Sequence, residues 1–261
     1  MSEARLASWL DGSAGAPVVV LANPIGTTSA IWDAQADLLR RHFRLLRFEL
    51  RGHGVPGARS DAPPGPYSLA ELGTDVLGLM RDHGVSSAAY CGVSIGGMTG
   101  LWLAANAPDR ISSLVVCCAA ITPMPNRQSW LDRAALVRSA GMASITEIVP
   151  PRWFTPDFIA RQPAAVAAVM DMLHGTDPQG YAGCAEAIAD LDLAPALGSI
   201  KAPTLVISGA EDMAAPPWQG ARTALGIAGS RLRVIRGTSH LAPYQTPGPV
   251  SAAILAHLGC P

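Results

Sequence analysis

Short runs of apolar, β-branched residues alternate along the chain with segments whose apolar positions recur at helical spacing. That alternation predicts an α/β fold, a mostly parallel sheet flanked by helices on both faces. Residues 17–22, 44–50, 86–91, 111–118, 203–208 and 231–235 read as strands, and residues 68–83, 94–107 and 249–258 as helices. Ser68 with Glu71 forms a capping-box pattern at the start of one helix, and Pro108 stops another. Between residues 121 and 200 the pattern changes: apolar spacing is helical, proline recurs and no strand-like run appears. The expected organisation is a core of residues 1–120 and 201–261 with an inserted helical cap of residues 121–200. Its apolar stretch 164–173 suits either a cap helix or a helix on the main core.

Composition narrows the class. A chain of 261 residues, 49% hydrophobic and 15% charged, can bury a substantial core, which excludes disorder, collagen and a minimal disulfide scaffold. Lys plus Arg number 19 against 20 Asp plus Glu, so no overall field recruits nucleic acid or an anionic membrane. No apolar run approaches the ~20 residues of a spanning helix. The first six residues carry an early acid and lack the basic and apolar regions of a secretory signal. Five cysteines, an odd number without C-x-x-C spacing, read as buried thiols in a reducing cytoplasm.

The sharpest chemical signal is Gly92-Val93-Ser94-Ile95-Gly96, a G-x-S-x-G pattern between a predicted strand and a predicted helix. A serine on that turn is forced into a strained backbone with its hydroxyl exposed, and the flanking glycines remove side chains that would collide. The helix start aims the Ile95 N–H at the same point. A serine nucleophile needs a base and an orienting acid. Of six histidines, His240 stands after a strand and a short turn and is the candidate base. His42, His83 and His257 are expected at the surface, His174 lies in the cap, and His53 remains open between structural and substrate contact. Asp212 follows strand 203–208 and is the candidate acid, with Glu211 its rival. Catalytic groups gather at this strand edge in open α/β sheets. A second oxyanion donor is expected from the loop Asn23-Pro24-Ile25-Gly26: Pro24 has no N–H, so Ile25 is the candidate. No metal cluster, P-loop or dinucleotide fingerprint is present, so cofactor-free catalysis is expected.

With these residues in place, the chain resembles the α/β-hydrolase superfamily over nearly its whole length, and within it the β-ketoadipate (3-oxoadipate) enol-lactonases. The resemblance is carried by Leu21-Ala22-Asn23-Pro24-Ile25-Gly26-Thr27-Thr28, Trp32-Asp33, Arg51-Gly52-His53-Gly54, Ser60-Asp61-Ala62-Pro63-Pro64-Gly65-Pro66-Tyr67 and Gly92–Gly97. Further matches are Trp102-Leu103-Ala104-Ala105-Asn106, Trp153-Phe154-Thr155-Pro156 and Gly180-Tyr181-Ala182-Gly183-Cys184. It implies hydrolysis of a small carboxylated enol-lactone through an acyl-serine, as in aromatic catabolism. Arg133 or Arg138 would then meet the substrate carboxylate, with Trp130 and Trp153 as wall or cap packing. Pro24, Glu49, Gln245, Pro243 and about four extra residues after Gly54 depart from the family pattern. Such drift equally suits a cyclase, lyase or transacylase on the same residues, or, less readily, a ligand receptor.

Overall fold

A computed structural model of the protein describes residues 6–54 and 63–260. Its centre is a seven-stranded sheet of β1 (Ser8–Asp11), β2 (Val18–Ala22), β3 (Arg44–Phe48), β4 (Ala88–Val93), β5 (Ile111–Cys117), β6 (Thr204–Gly209) and β7 (Arg231–Ile235). The spatial order is β1-β3-β2-β4-β5-β6-β7, with β1 antiparallel to β3 and every other pair parallel. Strands β4 and β6 are buried along their whole length, as expected of parallel strands covered on both faces.

Helices α1 (Asp33–Leu39), α2 (Leu69–Asp82) and α3 (Ile95–Asn106) follow β2, β3 and β4. The expected capping box starts α2: Ser68 Oγ accepts the Glu71 N–H, and the Glu71 carboxylate accepts the Ser68 N–H. Between β5 and β6 lie α4 (Arg127–Ala140), α5 (Pro150–Trp153), α6 (Pro156–Arg161), α7 (Pro163–Gly175) and α8 (Pro178–Ala189). Most prolines of this stretch open helices rather than break them: α5 to α8 each carry proline in the first turn, where its missing N–H costs nothing, while Pro123 and Pro125 lie in the connection before α4. After β6 come α9 (Pro217–Gly226), then β7, α10 (Ala242–Gln245) and α11 (Pro247–His257). Helix α4 packs on α8, α2 on α3, and α1 on α11.

The sequence pattern did not reveal β1. Its four residues, Ser-Trp-Leu-Asp, have no β-branched member and alternate only between half-buried and exposed, because it is an edge strand. Strand β3 ends at Phe48 rather than residue 50, as Glu49 leaves the ladder and turns its carboxylate inward. The extra residues after Gly54, and Ser60, Asp61 and Ala62 of the family-like stretch, lie outside the described residues, as do the first five of the chain.

Candidate active site

Ser94 follows β4 directly and has φ 53° and ψ −121°, a conformation that non-glycine residues rarely adopt. The two flanking glycines are required by space. A Cβ at Gly92 would lie 2.4 Å from the Gly96 carbonyl, and one at Gly96 would lie 2.6 Å from the Ala22 oxygen. The turn is held by Ser94 N–H donating to Cys117 O at 3.0 Å and by Ser94 O accepting from Met98. The strain is thus over-determined by a buried sheet on one side and a helix on the other.

Strand β6 delivers Asp212 three residues past its end, where the Asp212 N–H turns back to Gly209 O. Both Asp212 oxygens face His240 Nδ1, at 2.9 and 3.1 Å. One of those oxygens also accepts the N–H groups of Ala214 and Ala215, each at 2.8 Å. A carboxylate with no proton to give makes Nδ1 the donor, so the lone pair of neutral His240 sits on Nε2. Glu211, the rival acid, is exposed and makes no bond to the imidazole among the described residues. Ser94 and His240 line one narrow cavity, with no hydrogen bond between them in this resting arrangement. Such bonds often tighten only on substrate binding.

Ile25 lines the same cavity. Among the described residues, neither the Ile25 nor the Ile95 N–H has a protein acceptor. Two free donors thus flank the serine, one on the loop after β2 and one at the start of α3. The opposite wall comes from the helices between β5 and β6: Trp130 and Arg133 of α4, Arg152 and Trp153 of α5, and Tyr181 of α8. Arg133 stacks over Trp130, its guanidinium carbon 4.7 Å from the ring centre. Arg152 has no side-chain hydrogen bond among the described residues; burial and the neighbouring Arg133 push its pKa down. Tyr181 is fully buried with its hydroxyl beside the Arg133 guanidinium, and burial raises its pKa against the lowering effect of that arginine.

A sequence profile of the alpha/beta hydrolase fold matches residues 17–247. The chain belongs to the α/β-hydrolase family. Over 245 residues this hydrolase is 35% identical to 3-oxoadipate enol-lactonase 2 of Acinetobacter baylyi, covering 94% of this chain and 90% of that one. Its structure is similar to that of the enol-lactonase from Burkholderia xenovorans LB400, with TM-score 0.93 and 39% identity over 98% and 96% of the two chains. It is also similar to a malate-bound thermophilic esterase from Thermogutta terrifontis, with TM-score 0.89 and 27% identity over 98% and 93%. By class, the chain is a carboxylic ester hydrolase.

The structure does not bring Arg138 of the hydrolase to the cavity. It lies on α4 facing α8, where its guanidinium forks onto both oxygens of Glu186 and reaches Gln179. Five residues separate Arg133 from Arg138, about 140° of helix rotation, so the two cannot share a face. Arg133 does line the cavity, and so does Arg152, which the sequence reading did not single out; its only signal was adjacency to Trp153 in a family-like stretch. Gln245, a departure from the family, is buried and fully used: Oε1 accepts the Ser239 N–H, while Nε2 donates to Thr155 Oγ1 and Gly237 O. A glutamate would lack those two donors. Two histidines expected at the surface are half-buried instead, His83 bonded to Ser8 and His257 to Ser113. His42 and His174 are exposed, and His53 is buried. A larger groove of about 730 Å³ runs between β7 and α11, lined by aliphatic side chains with Arg231 and Arg233; it contains no nucleophile and base.

Proposed function

We propose that this hydrolase opens a small carboxylated enol-lactone, or an ester of similar shape, through an acyl-Ser94 intermediate. The observation that carries the reading is a serine, a histidine–aspartate pair, the free N–H of Ile25 and two arginines around one narrow cavity, with the free N–H of Ile95 next to the serine in the chain. His240 Nε2 takes the Ser94 proton as Oγ attacks the lactone carbonyl, and Ile25 and Ile95 donate to the oxyanion. Collapse breaks the ring C–O bond; the enol oxygen leaves with the proton from His240. Water, deprotonated by His240, then releases the acid from Ser94. No step needs a cofactor.

Arg133 and Arg152 supply two positive charges on the wall facing the serine, and the Tyr181 hydroxyl adds a donor. A carboxylate satisfies all three, and a cation would meet only repulsion. That a related esterase holds malate is in keeping with this chemistry. In this reading residues 1–120 and 201–261 form the core, and residues 121–200 form a cap that supplies the acid-binding wall. The partner is a small molecule rather than nucleic acid or membrane, and the setting is aromatic catabolism. The five cysteines are free, which suits a reducing cytoplasm. Among the described residues, no helix is long and apolar enough to cross a membrane.

Turnover of 3-oxoadipate enol-lactone in H₂¹⁸O tests the reading. One solvent oxygen should enter the product acid, and the methyl ester of the same lactone should react with a much higher KM. A product without solvent oxygen would overturn hydrolysis in favour of a cyclase, lyase or transacylase, and equal KM values would overturn carboxylate recognition.

A further inference from the structure

The mechanism leaves a buried histidine unused: His53, on the loop after β3. Its Nδ1 donates to Arg51 O at 2.9 Å, since a carbonyl can only accept, and this assigns the lone pair to Nε2. Nε2 in turn accepts the Gly26 N–H at 2.8 Å. Gly26 directly follows Ile25, so its N–H belongs to the peptide on one side of Ile25. The peptide on the other side is held as well. Thr27 Oγ1 donates to Pro24 O at 2.9 Å, and in a trans peptide the Ile25 N–H must then point the opposite way, away from Thr27.

The loop cannot settle by other means. Gly26 has φ +74°, and a Cβ there would sit 2.5 Å from Leu173 Cδ1, so the wall helices press on it from above. The loop bearing His53 is itself fixed: Arg51 makes a buried bidentate pair with Asp75, at 2.6 and 2.7 Å, and Gly52 O accepts the Asp177 N–H at the start of α8.

We infer that His53 is a positioning residue for the oxyanion hole, accepting the Gly26 N–H through Nε2 and thereby aiming the Ile25 N–H at the serine's substrate. The inference rests on the reading of Ser94 and Ile25 given above. Its role differs from a packing role because it depends on one acceptor atom at one place. An asparagine at position 53 puts an amide near Nδ1 and falls short of Gly26, whereas a glutamine reaches the Nε2 position.

The test is hydrolysis of p-nitrophenyl acetate by wild type, His53→Asn, His53→Gln and Ser94→Ala, with thermal unfolding of each. His53→Asn should lower kcat about 10- to 100-fold with KM changed less than about two-fold, and His53→Gln should recover most of it. Equal kcat losses in the asparagine and glutamine variants, or none in either, would overturn the inference. Activity abolished by Ser94→Ala beside a fully active His53→Asn would overturn the His53 role alone; activity surviving Ser94→Ala would overturn the underlying reading too. A second measurement needs no variant. ¹⁵N NMR of the wild type at pH 7 should show His53 neutral with its proton on Nδ1, and a proton on Nε2 would contradict the inference.

Discussion

Replacing Asp212 by asparagine changes one atom, and the structure says which. One Asp212 oxygen accepts two backbone N–H groups, from Ala214 and Ala215, as well as facing His240 Nδ1. The other faces only His240, at 2.9 Å. An asparagine keeps its oxygen where two N–H groups need it and therefore places its NH₂ toward Nδ1. Two donors then face each other, and the imidazole answers by moving its proton to Nε2, the nitrogen that must accept from Ser94. The packing is unchanged, but the base has the wrong tautomer. Loss of a correctly poised base in a serine triad costs about 10⁴ in kcat, or ~5 kcal/mol of barrier. The assay is steady-state turnover of 3-oxoadipate enol-lactone with thermal unfolding alongside. Glu211→Gln, altering the exposed neighbour, should leave kcat unchanged. A folded Asp212→Asn enzyme within ten-fold of wild type would rule out Asp212 as the residue that sets the His240 tautomer, as would a Glu211→Gln enzyme that loses activity.

Three further outcomes follow from the geometry. Arg152→Met should reduce kcat/KM for a carboxylated lactone 10- to 100-fold, about 1.4–3 kcal/mol, and leave p-nitrophenyl acetate hydrolysis nearly unchanged; equal effects on both would count against a carboxylate contact. Gln245→Glu should lower stability by ~2–4 kcal/mol in denaturant unfolding, because a buried carboxylate cannot donate to Gly237 O, and an unchanged midpoint would contradict the hydrogen-bond assignment. His53, held neutral by burial with its pKa lowered to about 4, should make the fold acid-sensitive. Above the unfolded value near 6.5 both states are neutral; as pH falls from there toward 4 the unfolded chain takes the proton first, so stability is lost across that window, by up to ~3 kcal/mol. Denaturant unfolding at pH 7 and 4.5 should show a smaller drop for His53→Gln than for wild type, and an identical drop would refute it.

The strands that build the site were legible because parallel strands buried on both faces are continuous apolar runs with sharp ends. Strand β7, although an exposed edge strand, has the apolar alternation of Leu232, Val234 and Ile235 and kept its full range, residues 231–235; helix α2 came within a residue at each end, since its capping box is written in Ser68 and Glu71. Ser94 was legible because only glycine fits two residues before and two residues after it. What the sequence hides is rotation and long-range pairing. Arg133 and Arg138 look alike in one dimension, and only the docking of α4 on α8 turns one to the cavity and the other to Glu186. Arg152, Tyr181 and Gln245 are placed by neighbours far along the chain, Thr155 lying 90 residues from Gln245. Strand β1 is short and half-exposed, so it carried no periodic signal.

In the proposed mechanism Ser94 becomes acylated by the lactone it opens. Rapid acid quench of the hydrolase with 3-oxoadipate enol-lactone, followed by peptide mass mapping, tests it directly. An adduct of the substrate's mass should appear on the peptide containing Ser94, accumulating when water attack is slow and absent in Ser94→Ala, which should have lost turnover by at least about 10⁴-fold. Full turnover by Ser94→Ala, or an adduct on any other residue, would contradict it.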